Sequence, residues 1–163
     1  MKPTRIVALT MSAVILATCL CLAGCAEPSS AWDAFERGDY RHSLAAAREA
    51  ADRGDAAAAN FVGIHFYLGT GVARDFAEAG HWFERAARLG DRDAQRNLGM
   101  LYLRGLGMRQ NDFLAFAWFT EAAERGNPRA NAYLALMGDA LTPNQMVKAR
   151  RALDGEIGQR AAD

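Results

Sequence analysis

The chain reads AANFVGIHFYLGTGVARDFAEAGHWFERAARLG at residues 58–90 and AQRNLGMLYLRGLGMRQNDFLAFAWFTEAAERG at residues 94–126. The two stretches are offset by 36 residues, and ten of their 33 aligned positions are identical. The identical positions comprise four glycines, four alanines and one Trp-Phe pair. Self-similarity at a fixed period of this size is the sequence signature of a repeat architecture. The sequence therefore predicts an array of repeated units.

Each copy predicts two helices joined by a glycine-containing loop. Apolar residues at helical spacing predict first helices over about 56–68 and 92–104, and no stretch shows the alternation typical of a strand. Gly63 and Gly99 fall in the middle of these first helices, where glycine costs about 1 kcal/mol relative to alanine. The same cost at the same place in both copies predicts close packing of helix on helix, with no room for a β-carbon.

The second helix of each copy follows the loop at 69–71 or 105–107. Asp75 and Asn111 are predicted N-caps, and Glu78 completes a capping-box pattern in the first copy. Aromatic residues and alanines share one face of this helix and are predicted to form the core. In the two copies these residues are Ala79, Trp82, Phe83, Ala86 and Ala87, and Ala115, Trp118, Phe119, Ala122 and Ala123.

Partial units flank the two full copies. Residues 33–54 end in the pattern of a second helix, and residues 128–138 predict another first helix. Thr142, Pro143 and Gln145 then give an N-cap, a proline at the first helical position and the residue that closes the capping box. The sequence therefore predicts a repeat domain over 31–155, closed by a capping helix with an apolar stripe, and a flexible tail over 156–163.

The first residues of the chain form a targeting signal. Lys2 and Arg5 precede a mostly apolar run over 6–22 that ends in Leu22-Ala23-Gly24-Cys25, as in a secretory signal peptide. The alternative is an uncleaved membrane anchor, although the run is short for a spanning helix and is interrupted by hydroxyl residues. Both interpretations place the remaining chain outside the cytoplasm.

Leu22-Ala23-Gly24-Cys25 resembles the lipobox of bacterial lipoproteins. The resemblance implies that Cys25 carries a diacylglyceryl thioether and that the chain is cut just before it. Residues 1–24 are then the signal peptide, and 25–30 are the lipidated cysteine and a polar tether. Position 26, which follows the lipidated cysteine, is alanine rather than aspartate. In this respect the chain resembles the Gram-negative lipoproteins that are released to the outer membrane and face the periplasm.

Composition excludes several other classes of protein. The 19 basic residues balance the 19 acidic ones, and 51% of the residues are hydrophobic. A disordered tail would be poorer in apolar residues, and a nucleic-acid-binding protein would be strongly basic. All three cysteines lie within the first 25 residues, so a disulfide framework or a cysteine-based zinc site is not expected in the repeat domain.

The second copy, Leu98-Gly99, Tyr102, Gly105-x-Gly107, Ala115, Trp118-Phe119, Ala122-Ala123 and Gly126, closely resembles the Sel-like repeat, a relative of the tetratricopeptide repeat. The resemblance covers residues 33 to about 137. It implies an all-α fold, a short right-handed solenoid of antiparallel helix pairs with a concave face, closed by the C-terminal capping helix.

Candidate residues for chemistry are few. Glu78, His81 and Glu84 share one helical face, but the equivalent positions in the second copy are apolar or hydroxyl residues, so a solvated outer face explains them better than a metal site. His42 and His65 are interpreted as packed or half-exposed residues. The Gly-x-Gly loops follow a helix rather than a strand, which excludes a nucleotide-binding loop. We therefore expect no enzymatic activity, metal or cofactor.

A stack of helix pairs offers binding surface instead. If the first helices line the concave side, the outward positions mix apolar, aromatic and arginine residues, a composition enriched in protein interfaces. These positions are Asn60, Ile64, Tyr67, Arg96, Met100, Leu103, Arg104 and Arg129. We expect a lipid-anchored scaffold in the cell envelope that binds a protein partner in this groove. The alternative is an immunity or inhibitor lipoprotein that neutralises a secreted lipase-type toxin at the membrane, as some Sel-like lipoproteins do.

Overall fold

A computed structural model describes residues 30–138 and 142–160. All regular secondary structure in these ranges is helical, in eight helices within the unit that begins at Ala31. They are α1 Ala31–Glu36, α2 Tyr40–Asp52, α3 Ala56–Leu68, α4 Phe76–Arg88, α5 Arg92–Arg104, α6 Asp112–Glu124, α7 Pro128–Gly138 and α8 Pro143–Arg160. The predicted all-α solenoid is confirmed. Across the described ranges, no helix combines the length and the apolar character needed to cross a bilayer.

Helices α3 and α5 are the first helices of the two full repeats, and both run as predicted. Asp55 caps α3 by accepting a hydrogen bond from the Ala58 amide at 3.0 Å, and Asp91 occupies the same position at the start of α5. Both helices end at a glycine in the left-handed region, Gly69 with φ of 76° and Gly105 with φ of 65°. An L-residue with a side chain rarely adopts this conformation, which explains why the glycine recurs at the same offset.

The second helices α4 and α6 begin at the predicted N-caps. The Asp75 carboxylate accepts hydrogen bonds from the amides of Ala77 and Glu78, and Asn111 does the same in α6. The predicted capping box in the first copy is wrong. Glu78 accepts a hydrogen bond from Trp82 Nε1 at 3.0 Å, while the Asp75 amide donates to the carbonyl of Phe66 at 3.0 Å. The Asp75 amide, which Glu78 was expected to cap, already has a backbone partner. The Glu78 carboxylate therefore accepts a hydrogen bond from Trp82 of its own helix instead.

The mid-helix glycines lie where the two helices of each pair are in close contact. A Cβ built on Gly63 would lie 2.6 Å from Phe83 Cδ1, and one built on Gly99 would lie 2.9 Å from Phe119 Cε1. Real Cβ atoms do not approach carbon this closely, so the aromatic ring of the second helix occupies the space that a side chain would need. The prediction of close packing at these two glycines is confirmed.

The loops join each unit to the preceding one. A Cβ on Gly71 would lie 2.5 Å from the carbonyl oxygen of Tyr40, at the start of α2. One repeat later, a Cβ on Gly107 would collide with the backbone of Phe76 and Ala77, at the start of α4. Each Gly-x-Gly loop therefore packs against the start of the second helix in the preceding unit.

The core consists of small residues around a few large ones. Ala79, Phe83, Ala86 and Ala87 of α4 are all buried, as predicted. The two tryptophans differ, however. Trp118 is 2% exposed and belongs to the same cluster as residues of α8, whereas Trp82 is half-buried, with the Arg85 guanidinium over its ring. Trp82 therefore packs against the edge of the predicted core, whereas Trp118 lies within it.

Helix α8 closes the array by packing against α6. Its start has the predicted capping box, in which the Thr142 amide donates to Gln145 Oε1 at 2.8 Å. Ala149 and Leu153 are fully buried, and Arg150 pairs with Glu121 and Glu124 of α6. The helix continues to Arg160, beyond the predicted start of a flexible tail at 156. Residues 161–163 lie outside the described ranges.

Candidate partner-binding surface

The predicted surface is carried by α3, α5 and α7, but one of its residues is not on it. Asn60 is 8% exposed, and its Oδ1 accepts a hydrogen bond from Asn97 Nδ2 at 3.0 Å. The prediction that Asn60 points outward is therefore wrong. Its amide is buried because α5 lies alongside α3 at this point, and it joins the two first helices.

Five other predicted residues are half-buried. Ile64 and Tyr67 pack against the main core, and the Tyr67 ring meets the Phe76 ring edge-on at 5.3 Å. Leu103 and Met100 pack against the smaller core cluster at α6 and α7. Arg96 lies beside Met100, with Nη1 3.9 Å from the sulfur. These side chains contribute to packing and also present part of their surface to solvent.

Arg104 and Arg129, the last two predicted residues, are exposed. They lie at the end of α5 and the start of α7. Seven of the eight predicted residues therefore lie at the surface, five of them half-buried and two exposed. We use the term first-helix surface for these seven residues, which are Ile64, Tyr67, Arg96, Met100, Leu103, Arg104 and Arg129.

Two exposed leucines and one tyrosine on the same helices were not predicted. Leu68 of α3 is 52% exposed and Leu136 of α7 is 78% exposed. The 36-residue period could have identified Leu136, because Ile64, Met100 and Leu136 occupy the same position in successive first helices. Tyr133 lies between Met100 and Leu136. Its hydroxyl donates to the Met100 sulfur at 2.9 Å, and it precedes Leu136 by one helical turn.

A buried histidine lies between the first helices and the preceding unit. His65 is fully buried, with Nε2 3.0 Å from Ser43 Oγ and Nδ1 2.8 Å from the carbonyl oxygen of Thr70. Ser43 Oγ in turn donates to the carbonyl of Ala31 at 2.7 Å. Burial lowers the pKa of His65, although the Thr70 carbonyl opposes the shift. His65 therefore joins α1, α2 and α3 and is itself inaccessible to a partner, while His42 is exposed and pairs with Asp39.

The second-helix side carries the residues considered for metal binding. His81 and Glu84 line an open cleft of about 420 Å³ together with Gly54, Arg85, Arg88 and Leu89. Glu84 forms an ion pair with Arg88, and Glu78 is bonded to Trp82 as described above. Across the part of the chain that the structure describes, no group of three or more His, Cys, Asp or Glu side chains is arranged to hold a metal ion.

Two further clefts adjoin the start of α6. They have volumes of about 490 and 350 Å³ and share Asn111, Phe113 and Leu114 as lining residues. Phe113 is 41% exposed between them. This is the position at which the Gly-x-Gly loop of a following unit would pack, by analogy with Gly71 and Gly107. Cys25 and the signal sequence lie outside the described residues.

Comparisons with known proteins agree with this architecture. The Sel1 repeat model matches residues 56–91 and 92–127. The fold is similar to that of a Sel1 repeat protein from Oxalobacter formigenes, with a TM-score of 0.63 and 26% identity over 66% of this chain and 44% of that one. It is also similar to a protective antigen of uropathogenic Escherichia coli that displays the same repeat fold, with a TM-score of 0.60 and 32% identity over 71% of this chain.

The chain spans 44% and 26% of the lengths of these two proteins. No curated protein matches its sequence. Sel1 repeats are generally modules of protein–protein interaction, and their fold is typically a non-catalytic scaffold. Two matching segments and two solved structures with the same repeat fold show that residues 56–127 of this chain are two Sel1 repeats.

Proposed function

We propose that this protein is a lipid-anchored scaffold of the bacterial cell envelope that binds a partner protein along the first-helix surface. The observation that carries the proposal is the row formed by Ile64, Met100 and Leu136, which repeats every 36 residues and becomes most exposed at Leu136. Successive first helices thus present apolar groups in register.

The chemistry of this row suits a protein partner. Methionine is flexible and adapts to irregular surfaces, and Tyr133 supplies a ring with a polar end beside it. Arg104 and Arg129 are exposed near the row, and arginine beside aromatic and apolar residues is typical of the residues that dominate binding energy. A partner with an apolar centre and acidic residues at its edge would match this arrangement.

Anchoring is proposed from the lipobox at Leu22–Cys25, with the outer membrane as the destination because Ala26 is not aspartate. The change Cys25→Ser is expected to leave the precursor uncut and to abolish labelling by a fatty-acid analogue. The wild-type protein should resist extraction by salt, because two or more acyl chains anchor stably whereas one is marginal. Labelling that persists in the Cys25→Ser variant would contradict the lipoprotein assignment.

Partner binding is tested by site-specific cross-linking in intact cells. A photoreactive phenylalanine analogue placed at Leu68 or Leu136 should form an adduct with one partner. The matched control uses Leu89 and Val147, which are 51% and 52% exposed and lie at the end of α4 and on α8. Adducts confined to the control positions would show that the partner binds the second-helix side. A secreted lipase in the Leu136 adduct would instead support the inhibitor role.

A further inference from the structure

Four aromatic rings gather at the N-terminal end of the described chain. Trp32 stacks on Phe35 at a centroid distance of 5.9 Å and lies 5.6 Å from Phe61. Phe35 also contacts Phe61 at 5.3 Å and Tyr40 at 5.1 Å. The four residues, which come from α1, the start of α2 and α3, form one continuous surface that we call the aromatic platform.

The platform is open to solvent on its outer side. Trp32 is 56% exposed and Tyr40 is 38% exposed, while Phe35 and Phe61 are half-buried beneath them. Trp32 Nε1 donates to Glu36 Oε1 at 2.9 Å, so the indole is held in place by both a polar and a stacking contact. Ordered aromatic surface of this kind favours an environment that is partly apolar and partly wet.

The chain that precedes the platform limits where it can lie. Trp32 follows Cys25 by seven residues, and a chain of that length spans at most about 25 Å in any conformation. Helix α8, with 18 residues, is itself about 27 Å long. A lipid on Cys25 would therefore keep Trp32 within about one helix length of the bilayer surface.

We infer that the aromatic platform rests in the headgroup region of the bilayer that holds Cys25. The inference depends on the proposed lipid anchor and extends it to a second point of membrane contact. Tryptophan and tyrosine are the residues that concentrate at the membrane–water interface, where the ring is partly apolar and its polar atom stays hydrated. Two contact points would orient the repeat domain on the membrane, which a single lipid anchor would not do.

Charge is not the source of this contact. Residues 31–42 contain Arg37 and Arg41 against Asp33, Glu36 and Asp39, so the platform has no excess of positive charge to attract anionic lipid. The contact is therefore expected with zwitterionic phosphatidylethanolamine and phosphatidylcholine, and it should persist at high salt because salt screens charge interactions and not the burial of rings.

The test uses the full acylated protein in vesicles of these two zwitterionic lipids, with bromine atoms on part of the acyl chains to quench nearby tryptophan. The chain contains Trp32, Trp82 and Trp118, so the variant Trp32→Phe isolates the signal of Trp32 while it keeps a ring on the platform. The brominated lipid should quench the fluorescence contributed by Trp32 at least twofold and leave the Trp32→Phe variant nearly unquenched, at both low and high salt.

A matched control moves the probe to the other end of the array. Phe113→Trp in the Trp32→Phe background places a tryptophan at a site that is 41% exposed but lies on α6, and it should not be quenched. Equal quenching of the wild type and Trp32→Phe, or equal quenching at position 113, would overturn the inference. So would a dimer in which Trp32 is shielded by a second copy of the chain.

Failure of the anchor is recognised separately. The mass of the N-terminal fragment reports whether Cys25 is acylated, and flotation with the vesicles reports whether the chain is held. A chain without lipid overturns both the proposed anchor and this inference. An acylated chain that floats without quenching at Trp32 overturns only the inference and leaves the anchor intact.

Discussion

The packing of α3 on α4 is tested most directly by Gly63→Ala. An ideal Cβ at this position would lie 2.6 Å from two ring carbons of Phe83 and 3.2 Å from a third. Phe83 is 2% exposed, so its ring cannot swing into solvent to make room. The added methyl group must separate the helices or force the ring from its rotamer, which costs about 1–3 kcal/mol.

Helix propensity acts in the opposite direction. Alanine stabilises a helix interior by about 1 kcal/mol relative to glycine, so the net loss expected for Gly63→Ala is at most about 2 kcal/mol. Gly155→Ala is the matched control. It lies within α8, and nothing is within 4 Å of a Cβ built there, so the change should stabilise the protein by about 0.5–1 kcal/mol.

Thermal unfolding followed by far-ultraviolet circular dichroism measures both effects. A free-energy change of 1 kcal/mol shifts the melting temperature of a domain of this size by about 4 °C. Gly63→Ala should therefore lower the melting temperature by up to about 8 °C, and Gly155→Ala should raise it by about 2–4 °C. If both changes raise the melting temperature equally, the Phe83 ring does not lie over Gly63 and the packing argument is refuted.

Three further predictions follow from the packing and burial described above. Trp118→Ala removes a buried indole at a cost of about 3–5 kcal/mol, and an unchanged urea midpoint would place Trp118 at the surface. Burial lowers the pKa of His65 in the folded state from its usual 6.5, so the unfolded state binds a proton more readily below that pH. The free energy of unfolding should therefore be unaffected by His65 above about pH 6.5 and should fall as the pH drops toward the pKa of the folded state. Urea midpoints between pH 7.5 and 5 should show this fall in the wild type and a smaller one in His65→Gln. Gly107→Ala should destabilise the protein more than Gly38→Ala, because both glycines have positive φ but only the Cβ at 107 meets the backbone of Phe76; equal melting temperatures would show that the loop does not pack there.

The repeat period predicted the helices because it reports local chemistry. The N-caps at Asp75 and Asn111, the glycines that end α3 and α5, and the close approach at Gly63 each depend on residues within one unit. Each of these features could be recognised because the same pattern occurs in both copies of the repeat. The capping box at Glu78 failed because Trp82, four residues on, provides a competing hydrogen bond.

The binding surface was harder to predict because it depends on contacts between units. Helical periodicity identifies the apolar face of a helix but does not show where a neighbouring helix lies. Asn60 was assigned to the surface for this reason, although Asn97 of the next first helix covers it. The aromatic platform was missed because Trp32 and Phe61 are 29 positions apart, and because Trp32 belongs to an incomplete unit with no matching copy.

The end of the array explains why Leu136 of α7 is more exposed than the residues at the same position in the preceding first helices. Met100 is half-buried because Tyr133 of the next first helix reaches its sulfur, whereas Leu136, at the same position in the following unit, is 78% exposed. Helix α8 closes the array by covering α6, on the second-helix side, through Ala149 and Leu153. Terminal units of repeat proteins usually present a polar outer face, and a leucine at this position departs from that rule. At Leu136 the row of Ile64, Met100 and Leu136 has no following first helix against it in the described residues, so a partner could make the contact that a further repeat would make. Leu136 is therefore the residue at which we expect a partner to bind.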